Sequence, residues 1–447
     1  MGAFTVEVSI VGAGLVGSLL TCFMARRGHA VTLYERRPDP RRAGAERGRS
    51  INLAISERGI DALRRVGLDE VVLDAALPMP GRMMHAVDGE LTFQPYSADR
   101  DRAINSIGRA GLNRTLLDAA AALPGVRLCF DHRLTSMDAD SGRMVFQTPG
   151  DPGTVTATAP VIIGTDGAFS AVRAAMQGRP GFDYSQEFLD YGYKELVIPP
   201  APDGGFAMDP GALHIWPRGH SMMIALPNPD RSFTCTLFWP KADFASLTTP
   251  ERITELFAER YPDALALMPG LSDDYLRNPT GHLVTIRCAP WVVPGGAAIT
   301  ALAGDAAHAI LPFYGQGANC GFEDCVELDR CLAETGDDFA AALPLYQERR
   351  KRNADTIAEL AQANFVEMRD KVASRMFLAQ KKVEHALERL LPGRYVSQYE
   401  LVSFSTVPYV EVERRIARQR RWVAAAGAGI TALTAVAALG GARRRHK

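Results

Sequence analysis

A glycine-rich loop close to the N-terminus constrains this chain more than any other feature of its sequence. The apolar stretch Val6–Val11 predicts a short buried strand, and the glycines after it open a helix. Gly12, Gly14 and Gly17 have the G-x-G-x-x-G spacing. In such a loop the first glycine permits a tight turn, the second lets a pyrophosphate approach the backbone, and the third lets the helix pack on the strand. The loop therefore predicts a dinucleotide site at a helix N-terminus.

The second strand supports this interpretation. Residues Ala30 to Tyr34 predict a strand that ends at Glu35. An acidic residue about 20 positions after the glycine loop typically binds the ribose 2′-hydroxyl. The next residues, Arg36 and Arg37, belong either to a solvated loop or to the surroundings of the nucleotide phosphates. Strand, turn, helix, strand and acid in this order predict a Rossmann-like α/β domain.

Composition narrows the class of protein. At 447 residues the chain exceeds a single core, so we expect two or three domains. A formal net charge of −1 argues against nucleic acid as a partner. The seven cysteines lack paired C-x-x-C spacing and follow no N-terminal signal peptide, which indicates reduced thiols in the cytoplasm. Cys320, Cys325 and Cys331 have no histidine at ligand spacing beside them, so we expect no metal site.

Two later segments return to the first domain. Pro160–Gly164 predicts a buried strand that runs into a turn at Asp166, and Gly296–Ala303 predicts another that leads to Asp305. A carboxylate at a strand end can bond sugar hydroxyls, and the glycine-bearing helix start that follows suits a phosphate or a ring carbonyl. His308 has no evident partner in the sequence, which favours a structural role over that of a base.

Two regions predict β-structure outside the nucleotide domain. An Asp-Gly pair between two strand-like runs predicts a hairpin that brings Arg82 and Tyr96 together. Residues 181–282 contain strand candidates joined by short turns, which predicts an antiparallel sheet in a substrate domain. Ile224 and Leu226 share one face of it because side chains alternate along a strand. They line either a pocket or the core, and the core is the more common position for such residues.

The region after residue 339 is predicted to be helical. Ile357, Ala361, Asn364 and Met368 recur at spacings of four and three, so they share one face of a helix. An amide within an apolar stripe needs a hydrogen-bond partner if it is buried. Asn364 is therefore either a packed core amide or a contact to a ligand.

The C-terminal tail has a composition of its own. Residues 423–442 carry no charge and, as a helix, would span about 30 Å, one hydrocarbon thickness. Nine of them are alanine and four are glycine, which weakens the drive into lipid. The tail is therefore either a membrane anchor or a poorly ordered or packed helix, and arginines at both ends leave its orientation open. We expect a cytoplasmic protein that contacts a membrane, if at all, through this tail.

Three different motifs lie within the first 325 residues: Gly12–Gly17 with Glu35, the turn Gly164–Gly167, and Gly304–Asp305 with the stretch Pro312–Gly317. Together they resemble the fingerprints of the single-component, FAD-dependent aromatic hydroxylases. The resemblance implies bound FAD, reduction by NADPH without a Rossmann domain for it, and O2 as the source of the oxygen placed on an aromatic ring. Further similar stretches, at 49–59, 81–85, 213–220, 364–371 and 399–405, resemble a branch whose substrate is an aromatic amino acid.

The resemblance implies a set of cofactor contacts. The glycine loop would take the FAD pyrophosphate, Asp305 the ribityl chain, and Arg109 the flavin phosphate. No residue is expected to act as a catalytic acid or base, because the flavin carries the chemistry. The positions expected to bind FAD are Gly12, Ala13, Gly14, Val16, Gly17, Glu35, Arg36, Arg37, Ala54, Arg109, Asp166, Asp305, Gly315, Gln316, Gly317 and Asn319.

The same resemblance implies the substrate contacts. Arg82, Tyr96, Asn364 and Tyr399 match the positions that hold the amino-acid end of the substrate, and a guanidinium beside hydroxyl donors suits a carboxylate. The position after Pro-Phe is often histidine in the family and is Tyr314 here, so no role is carried over to it. The walls around the aromatic ring are expected from Leu213, Ile224, Leu226, Phe238, Pro312, Phe313 and Met368.

The expected architecture is a Rossmann-like FAD-binding domain with an inserted antiparallel β-sheet substrate domain and a C-terminal helical segment. Two rival functions stay open: a flavin hydroxylase of another anthranilate- or hydroxybenzoate-like acid, and a membrane-tethered FAD protein without hydroxylase activity. The expected segments are FAD-binding parts at 1–76, 107–180 and 283–330, a substrate hairpin at 77–106, the substrate sheet at 181–282, the helical segment at 331–421 and the apolar tail at 422–442.

Overall fold

The computed structural model describes residues 6–42, 52–97, 99–150, 153–366, 387–388, 390–391 and 393–423. Its strands are β1 (Glu7–Val11), β2 (Ala30–Tyr34), β3 (Asn52–Ile55), β4 (Leu77–Met79), β5 (Gly81–His85), β6 (Leu91–Pro95), β7 (Ile104–Gly108), β8 (Val126–Cys129), β9 (Arg133–Asp138), β10 (Arg143–Gln147), β11 (Thr154–Thr158), β12 (Val161–Gly164), β13 (Asp183–Ile198), β14 (Ala212–Arg218), β15 (Ser221–Pro227), β16 (Phe233–Pro240), β17 (Gly281–Ala289), β18 (Val292–Pro294) and β19 (Ile299–Leu302).

The helices follow the same numbering in chain order, and a 3-10 turn lies at Pro312–Tyr314. They are α1 (Leu15–Arg26), α2 (Glu57–Arg65), α3 (Asp69–Asp74), α4 (Arg109–Ala121), α5 (Ala171–Met176), α6 (Lys241–Ser246), α7 (Pro250–Arg260), α8 (Pro262–Leu265), α9 (Leu271–Arg277), α10 (Asp305–His308), α11 (Gly317–Thr335), α12 (Phe339–Val366), α13 (Gln398–Ser403) and α14 (409–423).

A six-stranded sheet holds the glycine loop, in the order β18–β19–β12–β1–β2–β8. The strands from β19 to β8 are parallel, and β18 is added antiparallel at the edge. The carboxyl ends of β1, β12 and β19 therefore open on one edge, which is where ligands bind in open α/β sheets. The predicted α/β class is confirmed, as are the strands placed before the glycine loop, before Glu35 and before the two Asp turns.

The glycines of the first loop have the roles that their spacing predicts. Gly12 has a φ of +107°, and a Cβ there would lie 2.6 Å from the Cα of Asp166. A Cβ on Gly17 would lie 2.0 Å from the carbonyl oxygen of Gly12, so α1 could not approach β1. At Gly14, by contrast, no atom of the described chain lies within 4 Å of an added Cβ. That open space suits the close approach of a pyrophosphate.

A second sheet has seven strands in the order β17–β13–β16–β15–β14–β5–β6. Strands β14, β15 and β16 are antiparallel neighbours, as predicted. The hairpin β5–β6 is also confirmed, and it joins this sheet because β5 pairs in parallel with β14. The hairpin is thus an extension of the substrate sheet, although the sequence assigns the two to separate segments.

Two strands of this sheet differ from expectation. The 16-residue β13 carries charged and polar residues along a half-exposed stretch, so it lacks the alternating pattern that predicts a strand. β17 runs from Gly281 to Ala289 and pairs with β13, so the sheet continues past residue 282, where its end was expected. The sequence of β17 does not by itself predict a strand, because its residues follow no regular pattern of exposure. The strand is defined by its pairing with β13.

The two faces of the seven-stranded sheet have different neighbours. One face carries Trp216, Met223 and Leu237, which pack with residues of α6 to α9 in a closed core. The other face carries Ile215, Met222 and Phe238, which belong to a different cluster with α12 and α13. Because side chains alternate along each strand, the fold and the cavity draw on separate sets of residues.

The C-terminal segment is helical, as expected. α12 extends to Val366, and α13 and α14 follow from Gln398. Among the residues that the structure describes, no helix is long and apolar enough to cross a membrane. The predicted ring-wall residue Met368 and residues 424–442 of the tail lie outside the described residues.

Candidate functional site

A cavity of about 420 Å³ lies where the carboxyl edge of the six-stranded sheet meets the open face of the seven-stranded sheet. Its size and its mainly apolar lining are typical of a small-molecule site. Most of the residues predicted to bind a ligand contribute to its walls. They are Gly14, Val16, Ala54, Arg82, Tyr96, Arg109, Leu213, Ile224, Leu226, Phe238, Asp305, Pro312, Phe313, Gly315, Gln316, Gly317, Asn364 and Tyr399.

At the cofactor end, three elements converge. Gly14 lines the cavity at the start of α1, and Arg109 is the first residue of α4. Gly315, in the left-handed conformation with φ +64°, turns the chain so that α11 begins at the cavity wall. The start of a helix presents unpaired N–H groups and a partial positive charge. Asp305, the first residue of α10, adds a carboxylate to the same wall, and together these groups fit a dinucleotide with its phosphates and sugar hydroxyls.

Glu35 is already engaged with the protein. Its Oε2 accepts a hydrogen bond from the backbone N–H of Ala13 at 3.0 Å. Its Oε1 accepts from the backbone and from Nε of Arg37, at 3.0 and 2.8 Å. The acid therefore braces the glycine loop, and Arg36 and Arg37 lie exposed beside it. These residues and Gly12, Ala13 and Gly17 shape the loop without lining the cavity.

Two predicted cofactor residues, Asp166 and Asn319, do not line the cavity. The carboxylate of Asp166 accepts hydrogen bonds from the Ser170 hydroxyl and from the N–H of Ala171, so it caps α5. The amide of Asn319 bonds Ser56 N, Ala54 O and Gly315 O, which fixes the turn before α11. Both side chains thus bond to neighbouring groups of the protein, and their contact with FAD stays a prediction. Thr165, Gly167 and Ala168 line the cavity near Asp166 instead.

At the other end of the cavity, Arg82 lies beside the rings of Tyr96 and Tyr399. The guanidinium carbon is 5.6 Å from the ring centre of Tyr96 and 5.8 Å from that of Tyr399. The two tyrosine rings stack with centres 4.6 Å apart. Arg82 Nε is buried and has no hydrogen-bond partner among the described residues. A buried donor without a partner is costly, so this end of the cavity fits an anionic group.

The two tyrosines are neutral hydrogen-bond donors at ordinary pH. Burial raises the pKa of Tyr96 well above its usual range, and the Arg82 charge only partly offsets this. Burial also raises the pKa of Tyr399. Tyr314, at the position where the family often has histidine, extends the stack, with its ring centre 5.9 Å from that of Tyr399. A carboxylate next to Arg82 would thus meet a guanidinium and phenolic O–H groups.

Asn364 resolves the choice that the sequence left open. It lies on α12, is half-buried, and its Nδ2 donates to the carbonyl of Phe313 at 2.7 Å. It also lines the cavity. The amide is therefore both a packed link between α12 and the 3-10 turn and a polar group at the cavity wall.

The apolar walls come from one sheet face and the 3-10 turn. Ile224 and Leu226, for which strand periodicity left pocket and core open, line the cavity together with the other expected wall residues of this sheet. The rings of Phe238 and Phe313 pack against each other, with their centres 5.0 Å apart. The sheet and the turn thus form a continuous apolar and aromatic wall, against which a ligand's aromatic ring can pack.

Four residues of this sheet face were not predicted, one on each of the strands β13 to β16. Ile215 pairs with Ile224, and Ile224 pairs with Thr236 on the next strand. Met222 and Tyr193 are the cross-strand partners of Phe238. All four line the cavity. Counting by two along β14, β15 and β16 from the predicted wall residues would have found three of them.

A buried charged cluster lies apart from the cavity walls. His308 Nε2 is 2.6 Å from Asp324 Oδ2, and Arg350 donates to Asp324 Oδ1 at 2.8 Å. Burial opposes protonation of His308, but the Asp324 charge raises its pKa well above the usual range. Cys320 lies close enough to share a metal ion with His308 and Asp324, yet Arg350 contacts both Cys320 and Asp324. The guanidinium already supplies the cation, which supports a structural role.

Comparisons with known proteins agree with this geometry. The chain matches the family model described as "FAD binding domain" over residues 5–263 and 299–361. It is 50% identical over 405 residues to the kynurenine 3-monooxygenase of Myxococcus xanthus, which covers 90% of this chain and 86% of the relative. It is 45% identical over 422 residues to the kynurenine 3-monooxygenase of Dictyostelium discoideum, at 91% and 90% coverage.

Solved structures share the fold at lower identity. A 2-methyl-3-hydroxypyridine-5-carboxylic acid oxygenase superposes with a TM-score of 0.66 at 20% identity, over 84% of this chain and 95% of that one. PqsL of Pseudomonas aeruginosa, solved with 2-aminobenzoylacetate, gives a TM-score of 0.66 at 20% identity, over 84% and 99%. Three findings agree: the sheet edge suits a dinucleotide, the chain matches an FAD-binding domain, and it is 45–50% identical to two kynurenine 3-monooxygenases over most of its length. This chain belongs to the kynurenine 3-monooxygenase family of FAD-dependent enzymes.

Proposed function

We propose that this protein hydroxylates L-kynurenine to 3-hydroxykynurenine with bound FAD, NADPH and O2. One oxygen atom of O2 enters the aromatic ring, the other leaves as water, and NADPH supplies the two electrons. The observation that carries the choice of substrate is Arg82 Nε, which is buried without a described partner beside two stacked tyrosines at one end of a mainly apolar cavity. An amino acid with an aromatic ring has matching parts: a carboxylate at one end and a flat apolar ring at the other.

The carboxylate would bind at Arg82, with Tyr96 and Tyr399 as further donors. Charge-assisted hydrogen bonds of this kind are roughly twice as strong as neutral ones, and a guanidinium can hold a carboxylate in a bidentate pair. Asn364 supplies an amide at the same wall. These contacts fix the amino-acid end and leave the ring against the apolar wall that includes Phe238 and Phe313.

The FAD would lie along the cavity wall formed by Gly14, Arg109, Asp305 and the start of α11 at Gly317. When bound, FAD supplies the redox and oxygen-transfer chemistry. The chain's own residues hold the substrate ring in place and keep water away from it, and such positioning contributes a large part of the acceleration in enzymes. The amino group on the kynurenine ring itself activates the neighbouring carbon, so the reaction needs no protein base.

The direct test is product analysis with purified, FAD-loaded protein, NADPH and L-kynurenine. We expect 3-hydroxykynurenine in amounts equal to the NADPH consumed. Anthranilate and 4-hydroxybenzoate serve as comparison substrates, and a hydroxylated product from either, with none from kynurenine, would point to the related hydroxylases. Bound FAD that yields no ring oxygenation of any of the three would instead favour an FAD protein of another kind.

We also propose that the protein is cytoplasmic and contacts a membrane through its C-terminal tail. The support is the uncharged stretch 423–442, arginines on both sides of it, and the exposed ring of Trp422 at its start. Aromatic and basic residues are enriched where apolar segments enter the membrane interface. Membrane fractionation of the full chain and of a chain ending at residue 421 tests this, and equal recovery of both in the soluble fraction would contradict it.

A further inference from the structure

Arg58 is one of the largest side chains in the protein that is fully buried, yet it does not line the cavity. It is the second residue of α2 and is 1% exposed. A buried arginine is unusual unless its charge is paired and its N–H groups are bonded. The contacts of Arg58 meet both conditions, and most of them lead to one segment of the chain.

The guanidinium of Arg58 bonds in three directions. Its Nε donates to the carbonyl of Val402 at 3.2 Å, and its Nη2 donates to the carbonyl of Val407. Its Nη1 forms an ion pair with Glu323 at 2.6 Å. The guanidinium carbon lies 3.9 Å from the ring centre of Tyr409, a close cation–π contact.

Three of these four partners belong to the segment from α13 to the start of α14. This segment carries Tyr399, which lies three residues before Val402 on α13. The two bonded carbonyls therefore lie beside and beyond the turn of α13 that presents Tyr399 to the cavity. Tyr409 adds a further tie, because its hydroxyl donates to Gln316 Oε1 at 3.0 Å.

We propose that Arg58 is a positioning residue for substrate recognition: it fastens the α13 segment so that Tyr399 stacks on Tyr96 beside Arg82. The inference rests on the proposed function for its substrate, but the fastening itself rests on contacts within the chain. Arg58 acts through Tyr399 and touches neither substrate nor cofactor.

The role requires arginine and not merely a cation. A guanidinium presents its donors in a planar fork, whereas lysine is a point charge on a flexible stem. Lysine at position 58 can keep the pair with Glu323 but cannot also bond the carbonyls of Val402 and Val407. Loss of Arg58 leaves Glu323 paired, because Arg350 Nη1 lies 2.6 Å from its other oxygen.

The test compares Arg58→Lys and Arg58→Met with Arg64→Met, an exposed arginine on the same helix. We expect a roughly tenfold or greater rise in the KM for kynurenine in both Arg58 variants, which corresponds to about 1.4 kcal/mol. We expect smaller changes in kcat and in the Kd for FAD, and no change from Arg64→Met. A wild-type KM in Arg58→Lys would overturn the proposal, and this variant decides the matter if Arg58→Met does not fold.

A double-mutant cycle separates positioning from general weakening. Tyr399→Phe should raise the KM, and adding Arg58→Lys to it should raise it by much less than Arg58→Lys does alone. Additive effects would contradict an action through Tyr399.

Hydrogen exchange gives a readout that does not depend on the substrate. In the FAD-bound protein, residues 398–409 should exchange faster in Arg58→Lys than in the wild type or in Arg64→Met. Unchanged exchange there would overturn the fastening even if kynurenine is hydroxylated. Faster exchange without any kynurenine turnover would retain the fastening and reject the substrate.

Discussion

Arg82 shows how one side chain can define a binding site. It lies on β5 opposite Leu213, at the edge of an otherwise apolar face, and its Nε has no partner among the described residues. In a protein interior such a donor costs about 1–3 kcal/mol unless a ligand or water satisfies it. A bound anion would satisfy this donor and remove the cost. The same N–H group of Arg82 therefore accounts both for affinity toward an anionic ligand and for selectivity against a neutral one.

Replacing Arg82 tests the residue directly. Arg82→Met keeps much of the side chain's length but removes two or more charge-assisted bonds of about 1.5–3 kcal/mol each, so the KM for kynurenine should rise roughly 100-fold or more. FAD should stay bound, because Arg82 lies at the far end of the cavity. Steady-state kinetics with the flavin absorbance as a check measure both quantities. Arg143→Met, at an exposed position on β10, is the matched control, and an unchanged KM in Arg82→Met would remove Arg82 from the site.

The sequence was informative about residues whose role depends on local geometry. Gly12, Gly14 and Gly17 could be given distinct roles because each role is a property of the turn itself. The hairpin likewise predicted that Arg82 and Tyr96 are neighbours. For Asp166 and Asn319 the sequence did not reveal the backbone groups that they bond, because a carboxylate or amide near a ligand can equally cap a helix, and only the fold shows which backbone groups lie within reach.

At the scale of elements, the back of the seven-stranded sheet contains a chain of hydrogen bonds with fixed directions. His214 Nε2 lies 2.8 Å from the carbonyl of Asp209, so it carries the proton and leaves Nδ1 as an acceptor. His85 Nε2 donates to that Nδ1 at 2.8 Å, and His85 Nδ1 lies 2.6 Å from Asp263. Burial raises the pKa of Asp263, but the hydrogen bonds from His85 and Trp216 outweigh it and hold the pKa below its usual value. These bonds tie the hairpin strand β5 to α8.

This network predicts a loss of stability in acid. Burial lowers the pKa of His214 to about 4, against 6.5 in an unfolded chain. Between these values the unfolded chain binds a proton that the native protein does not, so the free energy of unfolding falls as the pH drops from 6.5 to 4. The full effect is about 3 kcal/mol.

Thermal unfolding at pH 7 and pH 4.5 measures this contribution. His214→Gln keeps a donor and an acceptor but does not titrate, so its midpoint should fall less between the two pH values than that of the wild type. Equal falls would show that the acid sensitivity arises from other groups.

The sequence predicted buried strands more successfully than half-exposed ones, because only the buried strands have an apolar pattern of their own. β1, β2 and β12 are buried and apolar, so their own sequences identify them. β13 is largely half-exposed and is held by pairing with β16 and β17, which the local sequence does not encode. The same limit hid the parallel pairing of β5 with β14, a contact between segments about 130 residues apart.

At the scale of the whole molecule, the cavity joins the two sheets and the C-terminal helices, so a bound cofactor should stabilise all of them together. A ligand that binds only the native state adds roughly 2.7 kcal/mol at 100 times its Kd. Removing FAD should therefore lower the unfolding midpoint, and adding it back should restore the midpoint in a concentration-dependent way.

Gly14→Ala provides the control for this experiment. Its new methyl group meets no atom of the described chain within 4 Å, so the FAD-free protein should unfold at the wild-type temperature. Because the methyl group occupies the space expected for the pyrophosphate, added FAD should raise the midpoint much less. A normal response to FAD would place the pyrophosphate elsewhere.

The order of strands in the six-stranded sheet also bears on how the protein is made. β1 leaves the ribosome before the other strands of this sheet, but its neighbour β12 begins at Val161, and β19, which completes that side, begins at Ile299. At about 5–20 residues per second, the first strand waits roughly 15–60 s for β19. Tyr399 arrives later still. The nascent chain therefore completes the cofactor edge of the six-stranded sheet well before it contains Tyr399. A chain released between these two points would have the cofactor edge but would lack the Tyr399 contact to the substrate.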